Sequence, residues 1–229
     1  MITGNRKPLT QIFEMIKFYE RILIVGCGTC VTVCMSGGLK EAEETAAAIR
    51  LQRQQEGRPV RVAARVVERQ CEPEFLESLD AELENYEVVL SLACGIGVQC
   101  YNLWRPNKLT LPGLDTVGAG YPVKQGLWYE ACLSCGDCML AHTGGICPIA
   151  RCAKSLQNGP CGGSVKGKCE VTKVTTVPEG HDCAWQLIYD RLTALGKLEL
   201  LDEVRPPKNW SKAHHGGPRK LEREDMQIG

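Results

Sequence analysis

Six cysteines lie within the thirty positions from 132 to 161 of this 229-residue chain. Cys132, Cys135 and Cys138 have the spacing C-x2-C-x2-C, and Cys147 stands directly before a proline. Several thiolates at such short spacing are typical of sites that bind a metal ion or an iron–sulfur cluster. The run therefore predicts metal ligation rather than the ordinary packing of buried cysteines.

The spacing resembles that of bacterial ferredoxins, in which three thiolates of one loop bind one cluster and the cysteine before proline binds another. The last spacer differs, because eight residues separate Cys138 from Cys147 where ferredoxins have about three. The loop geometry of a ferredoxin therefore cannot be transferred unchanged. We interpret the histidines as solvated side chains or as neighbours of the ligands, and not as ligands. They are His142, His181, His214 and His215.

Eight cysteines follow position 124, which is twice the four thiolates that a tetranuclear cluster takes. We therefore predict that this region holds two [4Fe–4S] clusters. Zinc at one site is the alternative, because Cys132 and Cys135 also have the spacing of a zinc ribbon. Which cysteines share a cluster stays open. The predicted ligands of this region are Cys132, Cys135, Cys138, Cys147, Cys152, Cys161, Cys169 and Cys183.

Four further candidate ligands follow predicted strands in the first half of the chain. Cys27 and Cys30 come after the first apolar run, Cys71 after the second and Cys94 after the third. The carboxyl ends of parallel strands lie on one edge of a sheet, where ligands bind in open α/β folds. We therefore predict that these four thiols converge on an iron–sulfur cluster or a tetrahedral zinc ion. Cys34, one helical turn after Cys30, is the alternative to Cys71 as fourth ligand.

The elements that must position these thiols alternate between apolar runs and segments with helical spacing. This βαβ rhythm predicts an α/β fold with a parallel, Rossmann-like sheet covered by helices. Gly26-Cys-Gly is a weak dinucleotide-binding signal, because Val31 stands where the fingerprint has its third glycine. The predicted strands are Arg21–Val25, Val60–Val67, Val88–Leu92 and Leu114–Val117, and the predicted helices are Leu39–Glu56, Glu74–Leu83 and Ile96–Leu103.

The periodicity changes near residue 124, where cysteine- and glycine-rich loops begin. We predict an α/β domain over residues 1–123, a cysteine-rich iron–sulfur domain over 124–204 and an irregular tail over 205–229. A closing amphipathic helix is predicted at Ala184–Leu198. Because the second domain has so little apolar repeat, bound metal would have to supply much of its folding free energy.

Charge and hydropathy restrict the classes of partner. The chain has 27 acidic and 27 basic residues, a balance that leaves no field to attract nucleic acid. We expect no membrane span, because no run approaches the roughly 20 apolar residues that cross a bilayer. The first residues lack the apolar region of a signal peptide, which predicts a cytoplasmic location. In that reducing compartment, dense cysteines indicate metal or redox sites rather than disulfides.

Longer strings extend the cysteine pattern. They are Cys132-Leu-Ser-Cys-Gly-Asp-Cys-Met-Leu, Thr143-Gly-Gly-Ile-Cys-Pro, Asn158-Gly-Pro-Cys-Gly-Gly, Gly26-Cys-Gly-Thr-Cys and Leu92-Ala-Cys-Gly-Ile-Gly-Val-Gln. Together they resemble the MetV-type iron–sulfur subunit that pairs with the flavoprotein of methylenetetrahydrofolate reductase in acetogenic bacteria. The resemblance extends over nearly the whole chain.

The resemblance implies that electrons pass through this chain to a flavin in the partner subunit. That flavin reduces methylenetetrahydrofolate to methyltetrahydrofolate. The implied cofactors are two or three iron–sulfur clusters, and the implied partners are the flavoprotein and an electron donor such as ferredoxin. The residue types are consistent with electron transfer rather than substrate chemistry, because the sequence has no evident nucleophile–base pair, carboxylate dyad or phosphate-binding loop. We therefore predict a non-catalytic electron-transfer subunit.

Two other hypotheses stay open. In one, the chain is a zinc-stabilised scaffold subunit of the same or another oxidoreductase complex. In the other, the α/β half is a cofactor-binding enzyme with a flavin or corrinoid near its cysteines.

The tail is the predicted docking surface, because tryptophan and arginine often anchor interfaces. Its residues are Pro206, Pro207, Trp210 and Arg219. Truncation after Val204 is expected to weaken association with the flavoprotein and to leave the cluster spectrum unchanged.

Overall fold

The computed structural model describes residues 1–171, 180–213 and 225. The chain divides into two compact units, a first unit over Met1–Tyr129 and a second unit over Glu130–Gly229. The predicted boundary between residues 123 and 124 falls at the end of a strand of the first unit. In the described residues, no helix is both long enough and apolar enough to span a membrane.

Among the described residues, the strands lie in the first unit, apart from the last residue of β7, and so do most of the helices. Its strands are β1 (Ile2–Arg6), β2 (Arg21–Cys27), β3 (Arg61–Val67), β4 (Val88–Leu92), β5 (Thr110–Pro112), β6 (Leu114–Lys124) and β7 (Leu127–Glu130, whose last residue opens the second unit). Its helices are α1 (Leu9–Ile16), α2 (Cys30–Val33), α3 (Leu39–Gln55), α4 (Pro73–Leu76), α5 (Asp80–Leu83) and α6 (Gly95–Trp104). A 3₁₀ turn at Glu77–Leu79 separates α4 from α5.

Four parallel strands form the central sheet in the order β3-β2-β4-β5. Successive side chains of β2 point to opposite faces of this sheet. Ile22 and Ile24 pack with α1 and α3 on one face. Leu23 and Val25 pack with α4, α5 and α6 on the other. Both faces are therefore covered, which explains why the strands appear in the sequence as continuous apolar runs. The predicted α/β class is confirmed for this unit.

The prediction for Leu114–Val117 as a parallel strand is wrong. These residues begin β6, which pairs antiparallel with β1 in a separate sheet ordered β1-β6-β7. The fourth parallel strand is instead β5, a three-residue strand that sequence periodicity missed. The residues of β6 after Leu114 are largely exposed, whereas a central parallel strand would be buried on both faces.

Three of the predicted helices are confirmed, although the predicted C-terminal end of one of them is wrong. Helices α3 and α6 match their predicted ranges to within one residue at each end. The predicted helix Glu74–Leu83 is instead broken into α4, the 3₁₀ turn and α5. The closing helix ends at Leu195 rather than Leu198, because Gly196 adopts a left-handed conformation with φ 64°.

The second unit has little regular structure in its described residues. It contains α7 (Pro148–Arg151), α8 (Ala184–Leu195) and 3₁₀ turns at Leu140–His142, Leu198–Leu201 and Trp210–Lys212. Its buried apolar core is formed by Trp185, Ile188 and Leu192 of α8. Leu195, the last residue of α8, is exposed. The assignment of this unit as an iron–sulfur domain stays a prediction.

Candidate metal centres

Three of the four predicted strand-end cysteines lie at or after the ends of neighbouring parallel strands of the first unit, at the same edge of the sheet. Cys27 is the last residue of β2, and Cys94 directly precedes α6 after β4. Cys71 lies in the loop that follows β3. The pKa of the Cys71 thiol is raised, first by burial among neighbouring atoms and then by the negative charge that the thiols of Cys27 and Cys94 would carry. The parallel topology thus brings these three sulfur groups to one edge of the sheet.

Cys30 and Cys34 form a second pair. Cys30 begins α2, and Cys34 follows the last residue of that helix. Burial raises the pKa of the Cys34 thiol, and the neighbouring Cys30 thiol raises it further. The sulfur of Cys34 lies 3.6 Å from the carbonyl oxygen of Ile2 in β1. Of the two alternatives for the fourth ligand, Cys71 lies near Cys27 and Cys94, whereas Cys34 lies near Cys30 and β1.

Glycines allow the chain to close tightly over the end of β2. The amide of Cys27 donates to the carbonyl oxygen of Gly37 at 2.8 Å. A Cβ atom at Gly26 would lie 2.9 Å from the carbonyl oxygen of Gly38, which is too close for another residue. Gly26 is therefore required by backbone contact with this turn. This contact accounts for a glycine before Cys27 without any dinucleotide-binding role.

In the second unit, the loop that carries Cys132, Cys135 and Cys138 turns back on itself. Ser134 and Gly136 have positive φ values of 50° and 72°. The amide of Ser134 donates to the sulfur of Cys132 at 3.4 Å. Such amide-to-sulfur hydrogen bonds stabilise a thiolate and tune the reduction potential of a bound cluster. The loop geometry therefore fits a metal-bound thiolate.

Cys161 has the same local arrangement. The amide of Gly163 donates to the Cys161 sulfur at 3.4 Å. Glu170 lies 3.5 Å from that sulfur through its Oε1 atom and forms an ion pair with Lys154. The pKa of Glu170 is lowered, chiefly by the hydrogen bond from Lys154. The carboxylate beside the Cys161 thiol is thus neutralised by Lys154, and the pair is exposed to solvent.

Backbone pairing brings Cys169 and Cys183 onto adjacent segments. The amide of Cys169 donates to the carbonyl oxygen of His181 at 2.9 Å, and the amide of Cys183 donates to that of Gly167 at 2.7 Å. Cys183 directly precedes α8 and, with Cys152 at the end of α7, packs against the small core of this unit. Cys147 directly precedes α7.

The histidines of the described residues are His142 and His181, and the backbone carbonyl oxygen of His181 accepts from the amide of Cys169. His142 lies 3.4 Å from Glu203 through its Nδ1 atom. It lines a cavity of about 470 Å³ in the second unit, together with Trp185 and Cys183. His214 and His215 lie outside the described residues.

A buried lysine that the sequence analysis missed contacts the cysteine loop. The side chain of Lys208 is 2% exposed, and its ammonium group donates to the carbonyl oxygen of Asp137. The ammonium group also lies 3.5 Å from the carboxylate of Asp137. In the sequence, Asp137 stands between Cys135 and Cys138. A Cβ atom at Gly136 would collide with the backbone of Lys212. The first part of the predicted tail therefore packs against the loop of a predicted metal site.

This packing changes the expectation for truncation after Val204. The amide of Arg205 donates to the side chain of Asn158 at 2.8 Å, and Asn158 donates back to the Arg205 carbonyl. Removal of the tail would remove these hydrogen bonds and also the Lys208 contact with the cysteine loop. Arg219, which was predicted to anchor a partner, lies outside the described residues.

Metal ligation by the twelve predicted cysteines stays a prediction. The 14 cysteines, all of which lie within the described residues, form no disulfides. Within residues 1–171, 180–213 and 225, no three His, Cys, Asp or Glu side chains lie close enough together to hold a metal ion. Cys27, Cys71 and Cys94 share one edge of the sheet, and the amide contacts to Cys132 and Cys161 suit thiolate ligands.

Comparison with protein families gives one match. Residues 111–211 match a family model described as methylene-tetrahydrofolate reductase C terminal. The matched segment contains all eight predicted ligands of the second unit and begins before β6. It does not include the strand-end cysteines of the first unit. Searches of the curated proteins and of the solved structures found no match. This part of the chain is therefore similar to a family related to methylenetetrahydrofolate reductase.

Proposed function

We propose that this chain is an iron–sulfur electron-transfer subunit that passes electrons to the flavin of a partner methylenetetrahydrofolate reductase subunit. The observation that carries the proposal is the family match over residues 111–211, because that segment contains eight closely spaced cysteines. Similarity to this reductase-related family supports an association with the reductase, and the cysteines indicate what this chain would contribute to it.

The proposed ligands are the predicted thiols of both units. Cys27, Cys71 and Cys94, with Cys30, would hold one centre at the sheet edge, and the eight cysteines of the second unit would hold two more. The proximity of Cys71 to Cys27 and Cys94 supports Cys71 over Cys34 as a ligand. When bound, iron–sulfur clusters supply one-electron transfer.

Two backbone amides and one lysine would support the thiolate ligands. The amides of Ser134 and Gly163 donate to ligand sulfurs and stabilise their negative charge. Lys208 holds the loop of Cys135 and Cys138 through Asp137. The reduction of methylenetetrahydrofolate itself is assigned to the flavin of the partner, with a reduced ferredoxin as the class of electron donor.

Reconstitution with the flavoprotein tests this function. Methylenetetrahydrofolate reduction is measured with reduced ferredoxin for the flavoprotein, for this chain and for the two together. The proposal expects turnover only from the combination, and a strong loss with Cys135→Ala. Cys100→Ala is the matched control, because Cys100 packs in the core beside Tyr101. Turnover by the isolated, flavin-free chain with an artificial donor would show that the chain is itself catalytic.

Zinc is the second candidate metal, and one observation favours keeping it. The turn at Cys132 and Cys135, with the Ser134 amide donating to sulfur, also suits a structural zinc site. A zinc-bound chain would support the complex as a scaffold without carrying electrons. Metal analysis separates the two candidates.

A further inference from the structure

A buried glutamine links the three strand ends that carry Cys27, Cys71 and Cys94. Gln70 is fully buried, with 0% of its surface exposed. Its Nε2 atom donates to the carbonyl oxygen of Val25 at 2.7 Å and to that of Gly26 at 3.0 Å. Its Oε1 atom accepts a hydrogen bond from the hydroxyl of Ser91 at 2.7 Å. One side chain therefore joins the loop after β3 to both β2 and β4.

Each group in this network lies close in sequence to a predicted ligand. Gln70 directly precedes Cys71, and Gly26 directly precedes Cys27. Ser91 also accepts a hydrogen bond from the amide of Ala93 at 3.2 Å, and Ala93 directly precedes Cys94. The hydrogen bonds thus hold the residues immediately before all three thiols.

Only a side chain that both donates and accepts can complete this network. The amide of glutamine offers two N–H donors and one carbonyl acceptor. The two backbone carbonyls require donors, and the O–H group of Ser91 requires an acceptor for its hydrogen. Leaving these buried groups without partners is costly.

Helix α6 closes over Gln70 and leaves it little freedom to move. A Cβ atom at Gly97 would lie 3.0 Å from the Cβ of Gln70 and 2.9 Å from the Cβ of Ala93. These distances are tighter than ordinary side-chain contacts, so Gly97 provides the space that Gln70 occupies. Gln70 is therefore held by hydrogen bonds on one side and by the first turns of α6 on the other.

We propose that Gln70 is a positioning residue that sets the location of the Cys71 thiol relative to Cys27 and Cys94 before metal binds. The inference rests on the proposed function for the role of these thiols as ligands. Cys71 itself is exposed and lies in a loop. Without the anchor provided by Gln70, the loop would sample positions in which Cys71 lies away from the other two thiols. Pre-arranged ligands bind metal more tightly, because less ordering is needed on binding.

The test compares Gln70→Leu with the wild-type full chain in two ways. The first measurement is the rate at which anaerobically purified protein releases bound metal to a chelator, with iron and zinc both quantified. Loss of groups that hold ligands in place commonly weakens metal binding about 10–100-fold. We expect release from the first unit to accelerate within that range. Ser91→Ala, which removes the hydrogen bonds of the Ser91 hydroxyl with Gln70 and Ala93 but keeps the two bonds from Gln70 to β2, is expected to show a smaller change in the same direction.

The second measurement does not depend on which metal binds. After metal removal under reducing conditions, a short bifunctional thiol reagent is added and cross-linked peptides are identified by mass spectrometry. Wild type is expected to link Cys71 to Cys27 or Cys94. The variant Gln70→Leu should give at least several-fold less of these links and more singly modified Cys71.

Two controls separate positioning from loss of stability. Gln54→Leu makes the same chemical change at an exposed site of α3. Leu83→Ala removes a buried side chain of the same core without touching the network, so it lowers stability by another route. The two variants are compared under conditions in which their stabilities to urea are equal. If Leu83→Ala then accelerates metal release and reduces the cross-links as much as Gln70→Leu does, Gln70 has only a structural role. Should Gln70→Leu fail to fold, Ser91→Ala decides by the same comparison.

The outcomes separate this inference from the proposed function. Normal cross-links and unchanged metal release in Gln70→Leu and Ser91→Ala would overturn the positioning role, even if the chain binds iron–sulfur clusters. Loss of the Cys71 cross-links in a chain that carries zinc and no iron would support the positioning role and contradict the electron-transfer function.

Discussion

The two units place cysteines by different physical means. In the first unit, Cys27 and Cys94 adjoin the ends of β2 and β4, and both faces of that sheet are packed with apolar side chains. In the second unit, the predicted ligands lie mostly in loops around a core of three buried side chains of α8. A thiol at a strand end is positioned by the fold itself. A thiol in a loop depends on local turns, such as that at Ser134, and on whatever binds it.

This contrast has an energetic consequence. Burial of apolar surface contributes roughly 25 cal/mol per Å², so the first unit has its own source of stability. The second unit buries few apolar side chains in its described residues. Where a small core cannot stabilise a unit, the free energy of metal binding becomes part of the free energy of folding.

The largest expected effect is therefore that of metal removal. Chelation, or oxidation of the predicted clusters, should unfold the second unit and leave the first unit folded. Limited proteolysis followed by mass spectrometry measures this difference. We expect cuts confined to residues 130–229 and a resistant fragment that ends near Tyr129. Uniform digestion of both units, or none at all, would contradict the contrast between them.

Replacement of single thiols tests the ligand set of the first unit. Cys71→Ala should abolish the metal signal of that unit, because Cys71 lies near Cys27 and Cys94. Cys100→Ala should leave the signal intact, since Cys100 packs against the core of the sheet. Metal content and electron paramagnetic resonance spectra provide the measurement. Loss of the signal in Cys34→Ala with retention in Cys71→Ala would identify Cys34 as the ligand instead.

A smaller effect is expected in the second unit for Lys208→Met. This change removes the hydrogen bond to the Asp137 carbonyl and the charge beside its carboxylate. An acceptor left without its donor costs about 1–3 kcal/mol when it is fully buried, and this partly buried carbonyl should cost less. Metal bound to the loop of Cys135 and Cys138 should therefore be released faster, as measured with a chelator.

Lys197→Met is the matched control, because Lys197 is an exposed lysine that pairs with Glu199. Equal release rates for the two variants would show that the buried lysine does not support the cysteine loop.

The smallest expected effect concerns the pH dependence of the first unit. Glu87 accepts hydrogen bonds from the amides of Glu20 and Arg21 at 2.8 and 2.9 Å, and these bonds lower its pKa. A carboxylate with a lowered folded-state pKa stabilises the fold above its ordinary value of about 4.3, and this contribution is lost as pH falls through the lowered value. Glu87→Gln should therefore reduce the urea midpoint slightly at pH 7.

The difference between Glu87→Gln and wild type should disappear in strong acid, where Glu87 is protonated. Glu84→Gln is the control, since Glu84 is an exposed glutamate of the same segment. A difference that grows as pH falls would show the opposite sign of coupling.

The sequence was sufficient to predict the parts of the fold that depend on local pattern. Continuous apolar runs identified β2, β3 and β4, and parallel pairing then implied that Cys27, Cys71 and Cys94 lie on one edge. The parallel pairing of β2, β3 and β4 is confirmed, whereas Cys30, the fourth predicted ligand of this set, neighbours Cys34, and ligation by all four stays a prediction. The closing helix α8 was also evident from its apolar spacing.

The remaining features depend on contacts between distant residues, which a local pattern does not contain. Strand β1 is short and mostly polar, and it pairs with β6 more than one hundred positions away. Gln70 bonds to carbonyls 44 and 45 residues away, and Lys208 bonds to a loop 71 residues away. A glutamine or lysine in a loop has no periodic signal, so only the folded chain reveals its role.

Iron and acid-labile sulfide analysis of the anaerobically purified chain tests the central claim most directly. Two or three tetranuclear clusters would give about eight to twelve iron atoms per chain, with sulfide in about equal amount. We predict a brown protein with both components near these values. A colourless protein that contains zinc and no labile sulfide would contradict the electron-transfer function and support the zinc-stabilised scaffold.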